Sequence, residues 1–320
     1  MKVLLTGAAG LIGQATARLL HECGHEVLAT DLRRMPAGVG PLRWQRLDVR
    51  YGGRVRSTFE AFRPEAVVHL AAKHFIPDCN RFPVATLHTN VLGTQNVIEG
   101  LRDLVGVKLV LASSAAVYGP SRRPLRETSR LAPDDIYGMS KLTDERLCEL
   151  AARQQPDLAI VALRLFNTIG PGDPNPHLIP RLVSELCRGA ARVRLGNLAS
   201  VRDYVYVEDV AHAIHAALEH APGGFTIANV GTGVGRSVGE VISVFEAQLG
   251  RSLAVVSQAT QRRAVDRPFL VADRSRAREL FEWEPRVSFE AGIARTLSAA
   301  GLLPAPVSAA SPELQAMALA

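Results

Sequence analysis

The first 31 residues constrain this chain more than any other stretch. Val3-Leu4-Leu5-Thr6 reads as a short apolar strand, and Gly7-Ala8-Ala9-Gly10-Leu11-Ile12-Gly13 follows it directly. A helical pattern then runs to about Cys23, where Gly24 ends it, and Val27-Leu28-Ala29-Thr30-Asp31 is a second strand closing on an acid. Strand, Gly-rich turn and helix in this order are the context a dinucleotide site needs. The glycines permit a tight turn and a close approach of backbone to pyrophosphate, and the helix N-terminus presents unpaired N–H groups to the phosphates. Gly7, Gly10, Leu11, Ile12 and Gly13 are therefore candidate cofactor-binding positions. Asp31 lies 18 residues past Gly13, where a carboxylate meets the adenosine ribose hydroxyls. It favours NAD, because a carboxylate repels a 2′-phosphate. Arg33 and Arg34 follow at once and leave binding of that phosphate open as the alternative.

The rest of the first half continues the pattern. Ala66-Val67-Val68-His69-Leu70-Ala71-Ala72 is almost wholly apolar, as a strand buried on both faces of a parallel sheet must be. Its small end, Leu70, Ala71 and Ala72, lets a cofactor lie close. Lys73 comes next, either near the cofactor phosphates or as a plain loop lysine. A helix opens at Asn90 and runs to about Leu104. Lys108-Leu109-Val110-Leu111-Ala112 is another buried strand and leads into Ser113-Ser114. A hydroxyl at the C-terminal end of such a strand sits at the ligand crevice.

Tyr137 and Lys141, in Tyr-Gly-Met-Ser-Lys, are spaced i,i+4 and share one helix face. A nearby ammonium favours the phenolate and lowers a tyrosine pKa from about 10. The pair, with Ser114, is a candidate acid–base group for a sugar or alcohol hydroxyl.

Bulk properties narrow the class. The formal charge is +6, aromatics make up 5%, and the basic residues are scattered. That reads as anion binding on a basic surface and not as a nucleic-acid groove. Cys23, Cys79, Cys148 and Cys187 lack paired or metal-ligand spacing, and His69 and His74 form no metal constellation, so no metal is expected. No apolar run reaches the ~20 residues of a membrane span, and no signal peptide is visible; the expectation is a cytoplasmic protein without membrane attachment.

The Gly-x-x-Gly-x-x-Gly spacing with Tyr-x-x-x-Lys downstream resembles the extended short-chain dehydrogenase/reductase family, in its branch of NAD-dependent nucleotide-sugar epimerases and dehydratases. The resemblance covers roughly residues 1–295. It implies an α/β fold, a doubly wound parallel-sheet Rossmann domain with a smaller C-terminal substrate domain. The first would comprise 1–167 with returning segments near 201–235, the second 168–200 and 236–300, and 301–320 would be a loose tail. It implies that Asp48 contacts adenine (or is an exposed turn residue) beside Val49, that Asn90 belongs to the cofactor site, and that Ser114 grips the reacting oxygen with Tyr137. Asn167, Arg202 and Arg263 would meet the diphosphate, Leu178 and Ile179 the base, and Asp266 the ribose. Val265 stands where the family has Gly. Dehydratases of this kind carry Asp and Glu after the hydroxyl residue; this chain has Ala115 and Ala116, and methyl groups move no protons.

The resemblance implies epimerisation of a nucleotide-diphosphate sugar at C4 through a transient 4-keto sugar. The alternatives are NAD(P)H-dependent reduction of a 4-keto-6-deoxy nucleotide sugar, or a non-catalytic nucleotide sensor. Gly196-Asn197-Leu198 leans toward a GDP-sugar over a UDP-sugar. A homodimer joined through the helices near 90–104 and 137–155 is also implied, with Cys148 a packing residue.

Overall fold

The computed structural model describes residues 1–34, 42–190, 192–257 and 267–304. Arg263, Val265, Asp266 and the tail beyond 304 lie outside the described residues. In chain order the strands are β1 (Lys2–Thr6), β2 (Glu26–Asp31), β3 (Arg43–Arg46), β4 (Ala66–His69), β5 (Lys108–Ser114), β6 (Ala159–Leu165), β7 (Asn167–Ile169), β8 (Arg192–Leu195), β9 (Val201–Tyr206), β10 (Gly224–Val230), β11 (Gly235–Ser237), β12 (Ala254–Ser257) and β13 (Phe269–Leu270). The helices are α1 (Leu11–Glu22), α2 (Gly52–Phe62), α3 (Ile76–Arg81), α4 (Pro83–Leu87), α5 (Gly93–Leu101), α6 (Ile136–Gln154), α7 (Leu178–Cys187), α8 (Val207–His220), α9 (Val238–Leu249), α10 (Ser275–Phe281) and α11 (Phe289–Ala299). A π-helical turn, His88–Leu92, joins α4 to α5.

The main sheet has the order β3-β2-β1-β4-β5-β6-β10, and every neighbouring pair is parallel. The order reverses between β1 and β4, and ligands of open α/β sheets bind outside the strand ends at such a switch. Successive strand residues point to opposite faces. Val3 and Leu5 pack with Ala17 and Leu20 of α1 and Ile214 of α8, while Leu4 packs with Phe59 of α2 and Val97 and Leu101 of α5. Both faces are covered, so the central strands read as near-continuous apolar runs.

A smaller sheet runs β11-β9-β13, with β7 also paired to β9, and β12 pairs β8. Its core holds Ile179 and Leu182 of α7, Tyr204, Phe245 of α9 and Ile293 of α11. The helix expected from Val238 to Leu249 is there, started by a Ser237–Glu240 capping box.

The division of the chain differs from the expected one in two places. β9 lies in the smaller sheet, and the return to the large sheet is made by α8 and β10. α10 also belongs with the large sheet: Ala277, Phe281 and Trp283 join the core beside α1 and α8, and Trp283 Nε1 donates to the Asp209 carbonyl at 3.0 Å. The i,i+4 pair Ala277 and Phe281 gives α10 an apolar face that packs on α8 and β10. Among the described residues, no helix is long and apolar enough to cross a membrane.

Candidate active site

A cavity of about 880 Å³ opens at the C-terminal ends of β1, β4 and β5 and is walled on its far side by α7 and β9. Its floor is the Gly-rich turn. Gly7 has φ +71°, and a Cβ there would meet the Ala71 amide nitrogen at 2.7 Å, so the turn admits only glycine. α1 begins at Leu11 with no side-chain cap and no acid in its first turn, which leaves its first N–H groups facing the cavity. Asp31 ends β2 beside the turn; its carboxylate accepts from Ala9 N at 3.0 Å and Arg33 N at 2.9 Å. Arg33 reaches back to the Ala9 carbonyl at 3.4 Å and lines the cavity. An open helix end, an oriented carboxylate and a left-handed glycine against the Leu70–Ala71 backbone fit a dinucleotide.

Two further positions sit deeper than the sequence conveyed. Asp48 is clasped by Arg50, with contacts from 2.6 to 3.1 Å, and that guanidinium lowers its pKa. Val49 is buried beneath it. Asn90 is fully buried: its Oδ1 accepts from Lys73 N at 2.8 Å, and its Nδ2 donates to the Lys73 carbonyl at 2.9 Å and to Ser140 Oγ at 2.8 Å. The π-helical turn points this amide inward and ties the Leu70–Lys73 loop to α6. The Lys73 side chain itself is exposed at the cavity wall.

α6 carries Tyr137 and Lys141. Asp135 caps it, accepting from Gly138 N at 2.7 Å. Gly138 lets the helix approach the end of β5, for a Cβ there would lie 2.4 Å from the Ala116 carbonyl oxygen. That approach sets Tyr137 against Ser114, whose hydroxyl faces the phenol. Lys141 is buried and contacts Asp144 at 3.2 Å. The sequence predicts a lowered pKa for Tyr137, and the structure shows the opposite balance. Burial raises it more than Lys141 and Ser114 lower it, because desolvation penalises the phenolate.

The substrate side is built from the smaller sheet. Asn167, exposed at the start of β7, Leu178 and Ile179 at the start of α7, and Arg202 on β9 all line the same cavity. Asn175 Nδ2 meets His74 Nε2 at 3.0 Å and so links the two walls. Asp203 accepts from Thr232, Gly233 and Ala272 backbone N–H groups, and Asp209 from Arg286 and Val287; both hold loops. Sequence reasoning missed Arg267, which lines the cavity, pairs with Asp134 and donates to the Ala116 carbonyl at 3.0 Å. It also missed the buried Arg164–Glu145 pair behind Ser113, with Arg164 Nη2 2.8 Å from Glu145 and Ser113 Oγ donating to Glu145 at 2.5 Å. An arginine within the apolar run 158–166 was the available signal, since a buried charge requires a partner.

One histidine cluster lies elsewhere. His25 and His215 face each other at 3.2 Å, with Glu219 3.8 Å from both. The Met1 ammonium donates to His25 Nδ1 at 3.3 Å, which leaves His25 Nε2 to donate to His215, while Glu219 stands beyond hydrogen-bond distance of both rings.

A doubly wound sheet, a Gly-x-x-Gly-x-x-Gly turn and a Ser–Tyr–Lys grouping at one crevice define an extended short-chain dehydrogenase/reductase. The model of the NAD dependent epimerase/dehydratase family matches residues 3–231, and the chain belongs to that family. It is 33% identical over 309 residues to the UDP-glucose 4-epimerase of Streptomyces lividans, covering 89% of this chain and 91% of the relative. Among solved structures, the Brucella ovis UDP-glucose 4-epimerase in complex with NAD is 32% identical with a TM-score of 0.84, covering 92% of this chain and 96% of that one. The Thermotoga maritima UDP-glucose 4-epimerase with UDP-glucose superposes with a TM-score of 0.86 at 28% identity, covering 93% and 98%. The protein is an NAD-dependent enzyme of the epimerase type.

Proposed function

We propose that the protein interconverts C4 epimers of a UDP-sugar through a transient 4-keto sugar. The observation that carries this is the meeting of Ser114, Tyr137 and Lys141 with the Gly7–Gly13 turn in a single cavity that also reaches Asn167 and Arg202. The Gly7–Gly13 turn and Asp31 would hold NAD, which would supply the hydride acceptor and donor for C4. Tyr137 accepts the O4 proton and gives it back, and Ser114 holds the same oxygen. Lys141 supplies positive charge beneath the phenol. Asn167 and Arg202 anchor the diphosphate, an Arg suiting this because its planar donors fork onto phosphate oxygens. With that end fixed, the keto sugar turns and presents its other face.

Ala115 and Ala116 bring no acid or base to the sugar wall, which favours epimerisation over dehydration. The named relatives act on UDP-glucose, and this supports uridine against the guanosine preference suggested by Gly196-Asn197-Leu198. Incubating the protein with UDP-glucose, UDP-galactose, UDP-glucuronate and GDP-mannose, and following each by NMR, tests the reading. Interconversion of a UDP-sugar pair at C4 with no net consumption of NAD is expected. Turnover confined to a GDP-sugar, or loss of water from the sugar, would overturn it.

A further inference from the structure

Beneath Lys141 the interior holds a carboxylate that the chemistry above does not use. Asp144, one turn further along α6, is fully buried, and its Oδ2 accepts from Lys141 Nζ at 3.2 Å while its Oδ1 makes no hydrogen bond. Thr94 of α5 faces the same carboxyl. Thr94 Oγ1 lies 3.2 Å from His69 Nε2, His69 Nδ1 lies 2.7 Å from Thr6 Oγ1, and Thr6 Oγ1 accepts from Ala71 N at 3.3 Å. All four side chains are buried.

The donors fix a direction along this chain. The Ala71 amide can only donate, and among the described residues the Thr6 hydroxyl proton has His69 Nδ1 as its acceptor. Burial and Lys141 keep His69 neutral, so its proton sits on Nε2 and goes to Thr94. The Thr94 hydroxyl keeps its own proton on the side where it faces the Asp144 carboxyl. We propose that Asp144 is a positioning residue: oriented by the Thr6–His69–Thr94 chain, its carboxylate fixes the Lys141 ammonium and offsets part of the charge that Lys141 exerts on Tyr137. The inference rests on Tyr137 being the acid–base group.

Of the other titratable groups around the pair, most are matched or neutral, and Asp135 shares Arg267 with Asp134. Glu145 of α6 is neutralised by Arg164 of β6, and Asp135 faces Arg267 at 3.9 Å. Burial holds the thiols of Cys79 on α3 and Cys148 on α6 protonated, and His74 after β4 uncharged. At the phenol Lys141 lowers the proton affinity and Asp135 raises it; Asp144 acts through Lys141, whose ammonium it holds at 3.2 Å.

The test is a tyrosinate titration by ultraviolet difference absorbance on the full-length protein without substrate, with Tyr137→Phe identifying the transition. Asp144→Asn should move it acid-ward by about one pH unit, and Lys141→Met should move it the other way. The double variant leaves no unpaired buried charge and should return close to the unmodified value, so it decides the matter even where Asp144→Asn does not fold. An unmoved or alkaline-shifted transition in Asp144→Asn, or a double variant that titrates like Lys141→Met, would overturn the proposal. Turnover does not enter this measurement, so its outcome is separable from that of the sugar-nucleotide assay.

Discussion

Tyr137 reaches Ser114 because the next residue has no side chain. Gly138→Ala gains helix propensity of about 1 kcal/mol, yet its Cβ would strike the Ala116 carbonyl and push α6 away from β5. Turnover should drop at least about tenfold, the scale on which small misplacements act, while cofactor content is retained; kinetics beside a cofactor assay checks this. Tyr137→Phe removes one oxygen and keeps the ring. On the proposed route turnover falls by ~10²–10⁴-fold, with a smaller change in sugar-nucleotide affinity, since Asn167 and Arg202 are untouched. Near-normal turnover in that variant would rule out the proton route. His69 makes a different statement, about stability. Burial first, then Lys141, pushes its pKa from 6.5 to about 3. The folded value lies below the unfolded one, so the unfolded chain takes up a proton that the native state refuses. This contribution is complete above about pH 6.5 and is lost as the pH falls toward 3. Melting temperature should decline with acidification over that window, and His69→Gln, though less stable at neutral pH, should give a flatter slope.

At the level of elements, the buried Arg164–Glu145 pair bolts α6 to β6 directly behind the strand that ends in Ser114. Arg164 also donates to Tyr118 Oη at 3.0 Å, and Tyr118 Oη donates to Asn229 Oδ1 at 2.6 Å. Arg164→Leu leaves Glu145 charged and alone in the core, a loss of about 3–5 kcal/mol. Adding Glu145→Leu should recover part of it; strict additivity in chemical denaturation would show that the two side chains do not act as a pair. The legible elements were those whose burial leaves a pattern: β1, β4, β5 and β6 carry apolar runs, and α1 and α9 carry their stops and starts as Gly24 and Ser237-x-x-Glu240. β3, Arg-Trp-Gln-Arg, is wholly exposed at the sheet edge and shows no strand signature. The short strands β11 and β13 exist only by pairing with β9, so tertiary contact rather than local sequence makes them. The same holds within the site. Gly7, Asp31, Ser114, Tyr137 and Lys141 were readable because strand ends and i,i+4 spacing place them, whereas Arg267 and Asp144 reach the cavity or its underside through packing that no spacing encodes.

For the molecule as a whole, the feature still unaccounted for is one outward face. α4, the π-helical turn and α6 expose Val84 (79%), Leu87 (40%), Leu92 (36%), Met139 (52%) and Leu150 (52%). On α6 the two exposed apolar residues are eleven apart, three helical turns, so they lie on one stripe; on the neighbouring segment Val84 and Leu92 are two turns apart. Apolar stripes on adjacent antiparallel or parallel helices are costly to leave in water, at about 25 cal/mol per Å², and they bury well against the same stripe of a second copy related by a two-fold axis. Cys148 does not contribute, being fully buried on the inner side of α6. The expected state at micromolar concentration is therefore a dimer that joins two helical segments from each copy. Leu150→Glu sets a charge on that apolar stripe and should yield a folded monomer with its secondary structure intact. Light scattering of the unmodified protein together with Leu150→Glu decides the point: a monomer in the first, or an undisturbed dimer in the second, would exclude this face as the interface. The cavity opens at the far ends of the strands, among residues of one chain, so the monomeric variant should keep its cofactor and lose stability before it loses chemistry.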